Sequence, residues 1–155
     1  HVSLVGSEMC IRDSSFDESK IDHIIFGSGI SAFELEDLLI QRNFKKVLKT
    51  ISYMREQDHQ SSAPIIWIIS KVINSCLESL KAKDKKSALI KSGVWSSKIN
   101  LYLQLVKQAK TKDFLKLNEE ILKIDLINKG LMKADAWEQI DSLVLKLQDA
   151  TALQT

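Results

Sequence analysis

The chain has 155 residues, of which 45% are hydrophobic and 27% charged, as in an ordinary soluble globular protein. This length holds one domain with a proper core and is too short for two comfortable ones. A single proline and five glycines, with a net charge of only +2, favour long helices and argue against a turn-rich sheet protein.

The charge is unevenly distributed along the chain. Residues 1–40 carry two basic and eight acidic groups, residues 41–116 carry sixteen and five, and residues 117–155 carry four and seven. A basic middle between acidic ends is compatible with binding to nucleic acid or with pairing to an acidic neighbouring subunit. Composition alone does not choose between these two kinds of partner.

The first residues, HVSLVGSEMCIRDSS, have no initiator Met and no regular hydrophobic period. They lack the basic start and long apolar block of a secretory signal. Because they resemble translated adapter sequence from shotgun assembly, we expect residues 1–14 to be a non-native leader of a chain whose true N-terminal part is missing. Residues 15–30, which include Gly27 and Gly29, are expected to be the end of a preceding domain and a linker.

Three helices are predicted next from apolar residues spaced three and four apart. The tetrapeptide SAFE at 31–34 is a capping box that begins a helix running to about Arg42. A second helix, at about 44–57, keeps its lysines mostly off the apolar stripe. Pro64 stands in the first turn of the third helix, which continues to Leu80. Because this third helix is apolar nearly all round, we expect it at the centre of a bundle.

Two shorter helices follow a lysine-rich bend, KAKDKK. The first spans about 86–92 and ends at Gly93, for which we expect a left-handed backbone. The second begins at Ser96 or Ser97. Between them lies the dipeptide Val94–Trp95, so two large apolar residues occupy a helix joint.

The last two helices have clear boundaries. The sixth helix begins at Thr111 or Lys112 and ends at Gly130. Its apolar stripe, which should be buried, includes Phe114, Leu115 and Leu117. The tetrapeptide DAWE at 135–138 is a second capping box, and it begins a final helix that should bury Trp137. We expect residues 150–155 to fray. The prediction is an all-α single bundle of about six to seven helices over residues 31–149.

Signatures of catalysis and of metal binding are absent from the sequence. It contains no GxxxxGK[ST] loop for nucleotide phosphates and no GxGxxG motif, and its three histidines are scattered. Cys76 falls in an apolar helical pattern, which favours a small buried thiol in a reducing, cytoplasmic setting. No apolar run approaches the roughly 18 residues that span a bilayer. We therefore expect no active site, no cofactor and no membrane partner.

Several short motifs follow one another over residues 31–149, about three quarters of the chain. They are a Phe-x-Leu-x-Asp-Leu-Leu opening, a proline that begins an apolar helix, a Gly-Val-Trp joint, an Asp-x-x-x-Lys-Gly helix end and a Trp in the last helix. The residues are Phe33, Leu35, Asp37, Leu38, Leu39, Pro64, Gly93, Val94, Trp95, Asp125, Lys129, Gly130 and Trp137. Their order and spacing resemble the C-terminal domain of the delta subunit of bacterial DNA polymerase III, part of the sliding-clamp loader.

The resemblance implies a role in assembly within a DNA polymerase holoenzyme, without an active site in this chain. Delta subunits have two N-terminal AAA+-like domains, and their helical third domain packs with those of four other subunits into a collar. The implied partners are therefore the other clamp-loader subunits, in a hetero-pentamer, and primed DNA. The sliding clamp would be bound through a missing N-terminal domain. The implied location is the cytoplasm.

Two interpretations of Trp95 remain open. In the first, Val94 and Trp95 form a wedge that fixes the angle between two helices, since burying a Trp stabilises a fold by about 2–3 kcal/mol. In the second, Trp95 and Lys98 contact DNA, because an aromatic ring among lysines can stack on an unpaired base while ammonium groups bind phosphates.

One alternative to the clamp-loader interpretation is a stand-alone basic helical module that binds nucleic acid. Such a module would bind DNA by itself with a marked dependence on salt. A collar domain would instead bind its partner subunits tightly and bare DNA weakly.

Overall fold

The computed structural model describes residues 32–57 and 62–153. Within these two ranges the chain is an all-α bundle of seven α-helices without a β-strand, so the predicted fold class is confirmed. The helices are α1 (Ala32–Ile40), α2 (Phe44–Gln57), α3 (Ser62–Lys81), α4 (Lys85–Lys91), α5 (Ile99–Val106), α6 (Thr111–Asn128) and α7 (Ala136–Ala150). A 3-10 helix, Ser96–Lys98, leads directly into α5. The predicted leader and linker lie outside the described residues.

Helix α3 is the centre of the bundle, as its all-round apolar character predicted. It packs against α1, α4, α5, α6 and α7. By length and composition it could cross a membrane, which corrects the expectation that no segment approaches that length. More than half of its most apolar window, 56%, is however buried inside the bundle, as in the core helix of a globular protein. Cys76 is fully buried on this helix, as predicted.

Local sequence signals mark the helix ends where they were expected. Gly93 and Gly130 follow α4 and α6 with φ angles of +88° and +79°, the left-handed conformation that glycine adopts without strain. Asp135 caps α7, and its Oδ1 accepts hydrogen bonds from the backbone N–H groups of Trp137 and Glu138. Pro64 lies in the first turn of α3.

Arg42 connects the turn between α1 and α2 to the end of α7. It has a φ of +61°, which is unusual for a residue with a side chain. Its guanidinium donates to Thr151 Oγ1 and to the Gln148 carbonyl oxygen, each at 3.2 Å. A positive charge is therefore bound at the C-terminal end of α7, which is also favourable for the helix dipole.

Two expectations about the later helices need correction. Residues 150–155 were expected to fray, but Ala150 belongs to α7 and Thr151 is buried against Arg42. Leu115 was expected on the buried stripe of α6, but it is exposed, because that helix buries the face of Phe114, Leu117 and Ile121.

Candidate functional site at the Trp95 joint

The joint between α4 and α5 is built by a left-handed turn. Gly93 donates its backbone N–H to the Ile90 carbonyl oxygen at 3.0 Å, and Val94 donates to the Leu89 carbonyl oxygen at 3.1 Å. This pair of bonds satisfies carbonyl groups that the end of α4 would otherwise leave unpaired. The 3-10 helix begins directly after Trp95, and there the backbone N–H of Lys98 donates to the Trp95 carbonyl oxygen at 2.9 Å.

Val94 and Trp95 have opposite environments. Val94 is only 5% exposed and belongs to the hydrophobic core, as the wedge interpretation expected. Trp95 is 58% exposed, so the expectation that it too is buried at the joint is wrong. The joint is filled by the smaller of the two side chains, and the larger one lies on the surface.

Lys98 lies against the Trp95 ring and inside an acidic environment. Its Nζ is 5.6 Å from the centroid of the indole, within the range of a cation–π contact. The same Nζ is 2.8 Å from Oε1 of Glu36 and 3.3 Å from Oδ1 of Asp37, and the side chain is 12% exposed. Two carboxylates of α1 therefore balance this ammonium group, and it is directed into the protein.

Glu36 is a buried carboxylate at the centre of a cluster with four other polar side chains. Tyr102 donates its hydroxyl hydrogen to Oε2 at 2.6 Å, and the Lys71 ammonium lies 3.5 Å from the same oxygen. We call Glu36, Asp37, Lys71, Lys98 and Tyr102 the Glu36 cluster. It joins α1, α3 and α5 with the 3-10 helix, so it connects the centre of the bundle to the Trp95 joint.

The cluster also repeats the contact between lysine and tryptophan. Lys71 Nζ lies 6.0 Å from the centroid of the Trp67 ring, one turn earlier on α3. Glu36 thus binds two ammonium groups, each of which lies over an indole ring. Trp67 is partly buried against the core, whereas Trp95 is largely open to solvent.

The electrostatics of the cluster favour a charged glutamate and a neutral tyrosine. Burial by itself raises the pKa of Glu36, but hydrogen bonds from Lys98 and Tyr102 and the charges of both lysines hold that pKa below its usual value. Burial, together with the nearby Glu36 charge, raises the pKa of Tyr102 far above its usual range. Tyr102 therefore remains a hydrogen-bond donor, and the cluster is a fixed ionic support without an activated nucleophile.

Exposed lysines lie on α4 and the bend before it. Lys83, Lys85, Lys86 and Lys91 are all exposed, and we call them the α4 lysine surface. Ile90, in the last turn of the same helix, is also exposed. The lysine-rich character that the sequence placed around Trp95 is therefore carried by these residues, while Lys98 is occupied by the Glu36 cluster.

The other motif residues belong to the framework of the bundle. Leu35 and Leu39 are fully buried, Leu38 is partly buried, and the side chain of Phe33 lies outside the described residues. Asp125 is buried and forms an ion pair with Lys129, four residues later on α6, at 2.9 Å. Trp137, in the first turn of α7, is buried. Asp37 contacts the candidate site through its 3.3 Å ion pair with Lys98.

Sequence reasoning missed the Glu36 cluster. A signal existed, because Glu36 lies one turn before Ile40 and next to Leu35, at a position where α1 turns its apolar face to the core. A charged residue at such a position predicts a buried partner of opposite charge. The identity of that partner, 62 residues further along the chain, depends on tertiary packing.

Other parts of the surface offer less defined chemistry. A groove of about 420 Å³ lies between α6 and α7, and it is crossed by an ion pair of 2.6 Å between Lys146 and Glu120. Among residues 32–57 and 62–153, no group of three or more histidine, cysteine or acidic side chains is arranged to hold a metal ion. Comparison of the chain with family models, curated proteins and solved structures finds no significant match.

Proposed function

We propose that this chain is the helical assembly domain of a clamp-loader delta subunit. It would pack beside equivalent domains of the other loader subunits, so that the complex can place the sliding clamp on primed DNA. The main support is the order of the sequence motifs, most of whose described members occupy helix ends or buried positions of a single bundle. An all-α domain with no defined catalytic cluster among its described residues suits a role in assembly.

Exposed apolar side chains supply candidate contacts with neighbouring subunits. Leu115 on α6 and Leu145 on α7 are each about half exposed, whereas the other apolar residues of these two helices are buried or partly buried. Exposed ion pairs contribute little to affinity, so we expect such apolar residues to provide the binding energy of an interface.

Within this function, Trp95 is the residue that we assign to DNA. Its exposed indole could stack on an unpaired base at the primer–template junction, and stacking does not depend on base identity. The sequence pointed to Lys98 for the phosphate contacts. We assign these contacts instead to Lys86 and Lys91 of the α4 lysine surface, because both side chains are exposed. The role of DNA contact stays secondary to assembly.

Assembly can be tested by mixing the chain with purified bacterial clamp-loader motor subunits and measuring complex formation by sedimentation velocity. We expect the chain to enter the complex, and the variants Leu115→Asp and Leu145→Asp to weaken its entry without loss of helical signal. A chain that sediments alone at concentrations where intact delta assembles would contradict the proposal. Lys123→Asp, at an exposed polar position of α6, is the matched control.

The α4 lysine surface favours a second candidate, the stand-alone nucleic-acid-binding module. Fluorescence anisotropy with single-stranded and primed DNA at several salt concentrations separates the two. Four lysines binding phosphates would give a slope of about −3 in a plot of log affinity against log salt for single-stranded DNA. The assembly function predicts weak binding by the isolated chain.

A further inference from the structure

We propose that Glu36 is a positioning residue for Trp95. By holding the Lys98 ammonium against the indole, it fixes the orientation of an exposed ring before any partner arrives. The use of that ring on DNA rests on the proposed function, but the positioning itself is a property of the isolated chain.

The argument starts from the mobility of surface lysines. An exposed ammonium group is strongly hydrated and moves on a long side chain, so it normally gives a neighbouring ring little orientation. Lys98 differs because it is 12% exposed and its Nζ is bound by Glu36 at 2.8 Å and by Asp37 at 3.3 Å. The position of the cation is thereby set by the protein.

Glu36 is itself held from two further directions. Tyr102 donates to its Oε2, and Lys71 approaches the same oxygen from α3. The carboxylate therefore cannot follow Lys98 if that side chain moves toward solvent. A cation fixed in this way lies 5.6 Å from the Trp95 ring centroid and favours the ring orientations that face it.

Trp95 has the features of a side chain prepared for binding. It is 58% exposed, yet its backbone is fixed by the turn after Gly93 and its ring is fixed by Lys98. A ring that is already ordered loses less conformational entropy when it binds, so its affinity for a partner is greater. The Glu36 cluster thus connects a buried carboxylate to the orientation of an exposed side chain, Trp95.

The test is ¹⁹F NMR of the full chain labelled with 5-fluorotryptophan, which gives one signal for each of its three tryptophans. Replacing each tryptophan by Phe assigns the signals. In Lys98→Met, which keeps the length of the side chain and removes the charge, the Trp95 signal should shift and sharpen as the ring becomes mobile. The Trp137 signal should not change. A Trp95 signal with unchanged shift and width in this variant would overturn the proposal.

Lys71→Met is the matched control, because Lys71 binds the same Glu36 oxygen as Tyr102 but lies over a different ring. It should move the Trp67 signal more than the Trp95 signal, the reverse of Lys98→Met, because Tyr102 and Lys98 still hold Glu36. Lys98→Arg keeps a cation and should keep the Trp95 signal. If Lys98→Met does not fold, the double variant Glu36→Gln with Lys98→Met removes both charges, and it must show the same mobile Trp95 ring.

DNA affinity of the labelled chain separates positioning from simple charge. Glu36→Gln makes the chain more positive, so long-range electrostatics predicts tighter binding to single-stranded DNA, whereas loss of positioning predicts binding about threefold to tenfold weaker. Tighter binding together with an unchanged Trp95 signal would overturn the positioning role. If Trp95→Phe and Trp95→Ala leave DNA binding unchanged while Lys98→Met still mobilises the ring, the DNA contact fails and the positioning stands.

Discussion

Tyr102 donates a 2.6 Å hydrogen bond to Glu36, and both side chains are buried in the described bundle. This contact joins α5 to α1, and the same glutamate contacts Lys71 of α3 and Lys98 next to Trp95. A buried charge of this kind costs desolvation energy, which only well-placed partners offset. We therefore expect the substitution of Glu36 to have the widest effect on the structure.

Glu36→Gln should destabilise the protein at pH 7 by about 3 kcal/mol, because two lysines lose their buried counter-charge. The folded protein holds the pKa of Glu36 below its usual 4.5, so its contribution is complete above that pH. It is lost as the pH falls below 4.5 through the lowered pKa of the folded state. Urea unfolding of both proteins from pH 7 to pH 3 checks this, and the two stabilities should converge in acid. A constant difference over the whole range would contradict the assignment.

Val94→Ala should cost more stability than Trp95→Ala, although Trp is the larger residue. Val94 is buried, and removing its methyl groups should cost about 2 kcal/mol. Trp95→Ala removes an exposed ring and its contact with Lys98, which should cost about 1 kcal/mol or less. Thermal unfolding of the two variants measures the order, and a larger loss for Trp95→Ala would show that its ring is packed.

Gly93→Ala and Gly130→Ala should destabilise the protein by similar amounts. Both glycines have positive φ, and a Cβ atom at either position meets no atom within 4 Å. The cost is therefore backbone strain alone, about 1 kcal/mol in each case. Gly93→Asn is the control and should lose less, since Asn tolerates this conformation better. A much larger loss at one glycine would indicate a steric role there.

Asp135→Ala and Asp135→Asn should separate the helix cap from the ion pair with Arg55. Alanine removes the acceptor for two backbone N–H groups at the start of α7 and should cost about 1–2 kcal/mol. Asparagine keeps an acceptor and loses mainly the 3.0 Å pair with Arg55, which is partly exposed and worth less than about 1 kcal/mol. Chemical denaturation of both variants provides the comparison. Equal losses would mean that the ion pair, rather than the cap, stabilises this helix.

The helix boundaries could be predicted because their signals are local. Gly93, Gly130 and Asp135 act through their own backbone and the next few residues, so the sequence around them was sufficient. The centrality of α3 followed from the absence of a polar face. These features need no knowledge of which helices become neighbours.

The candidate site could be predicted only in part, because it depends on contacts between distant segments. Trp95 is conspicuous in the sequence, but its exposure depends on which of the two side chains, Val94 or Trp95, packs into the helix joint. Lys98 was read as a surface cation, since Glu36 lies 62 residues earlier in the chain. The direction of a lysine side chain depends on the helix that packs beside it, and no local pattern encodes that neighbour.

Arg42 gives the bundle a property that no single helix has. Its hydrogen bonds to Gln148 and Thr151 join the α1–α2 turn to the C-terminal end of α7, more than 100 residues later in the chain. Unwinding at either place must break the same two bonds, so the opening of one is energetically linked to the opening of the other. The rates of amide hydrogen exchange at Asn43 and at Ala150 should accordingly rise together in Arg42→Ala. In the unsubstituted protein, local unfolding at one of these places should favour local unfolding at the other.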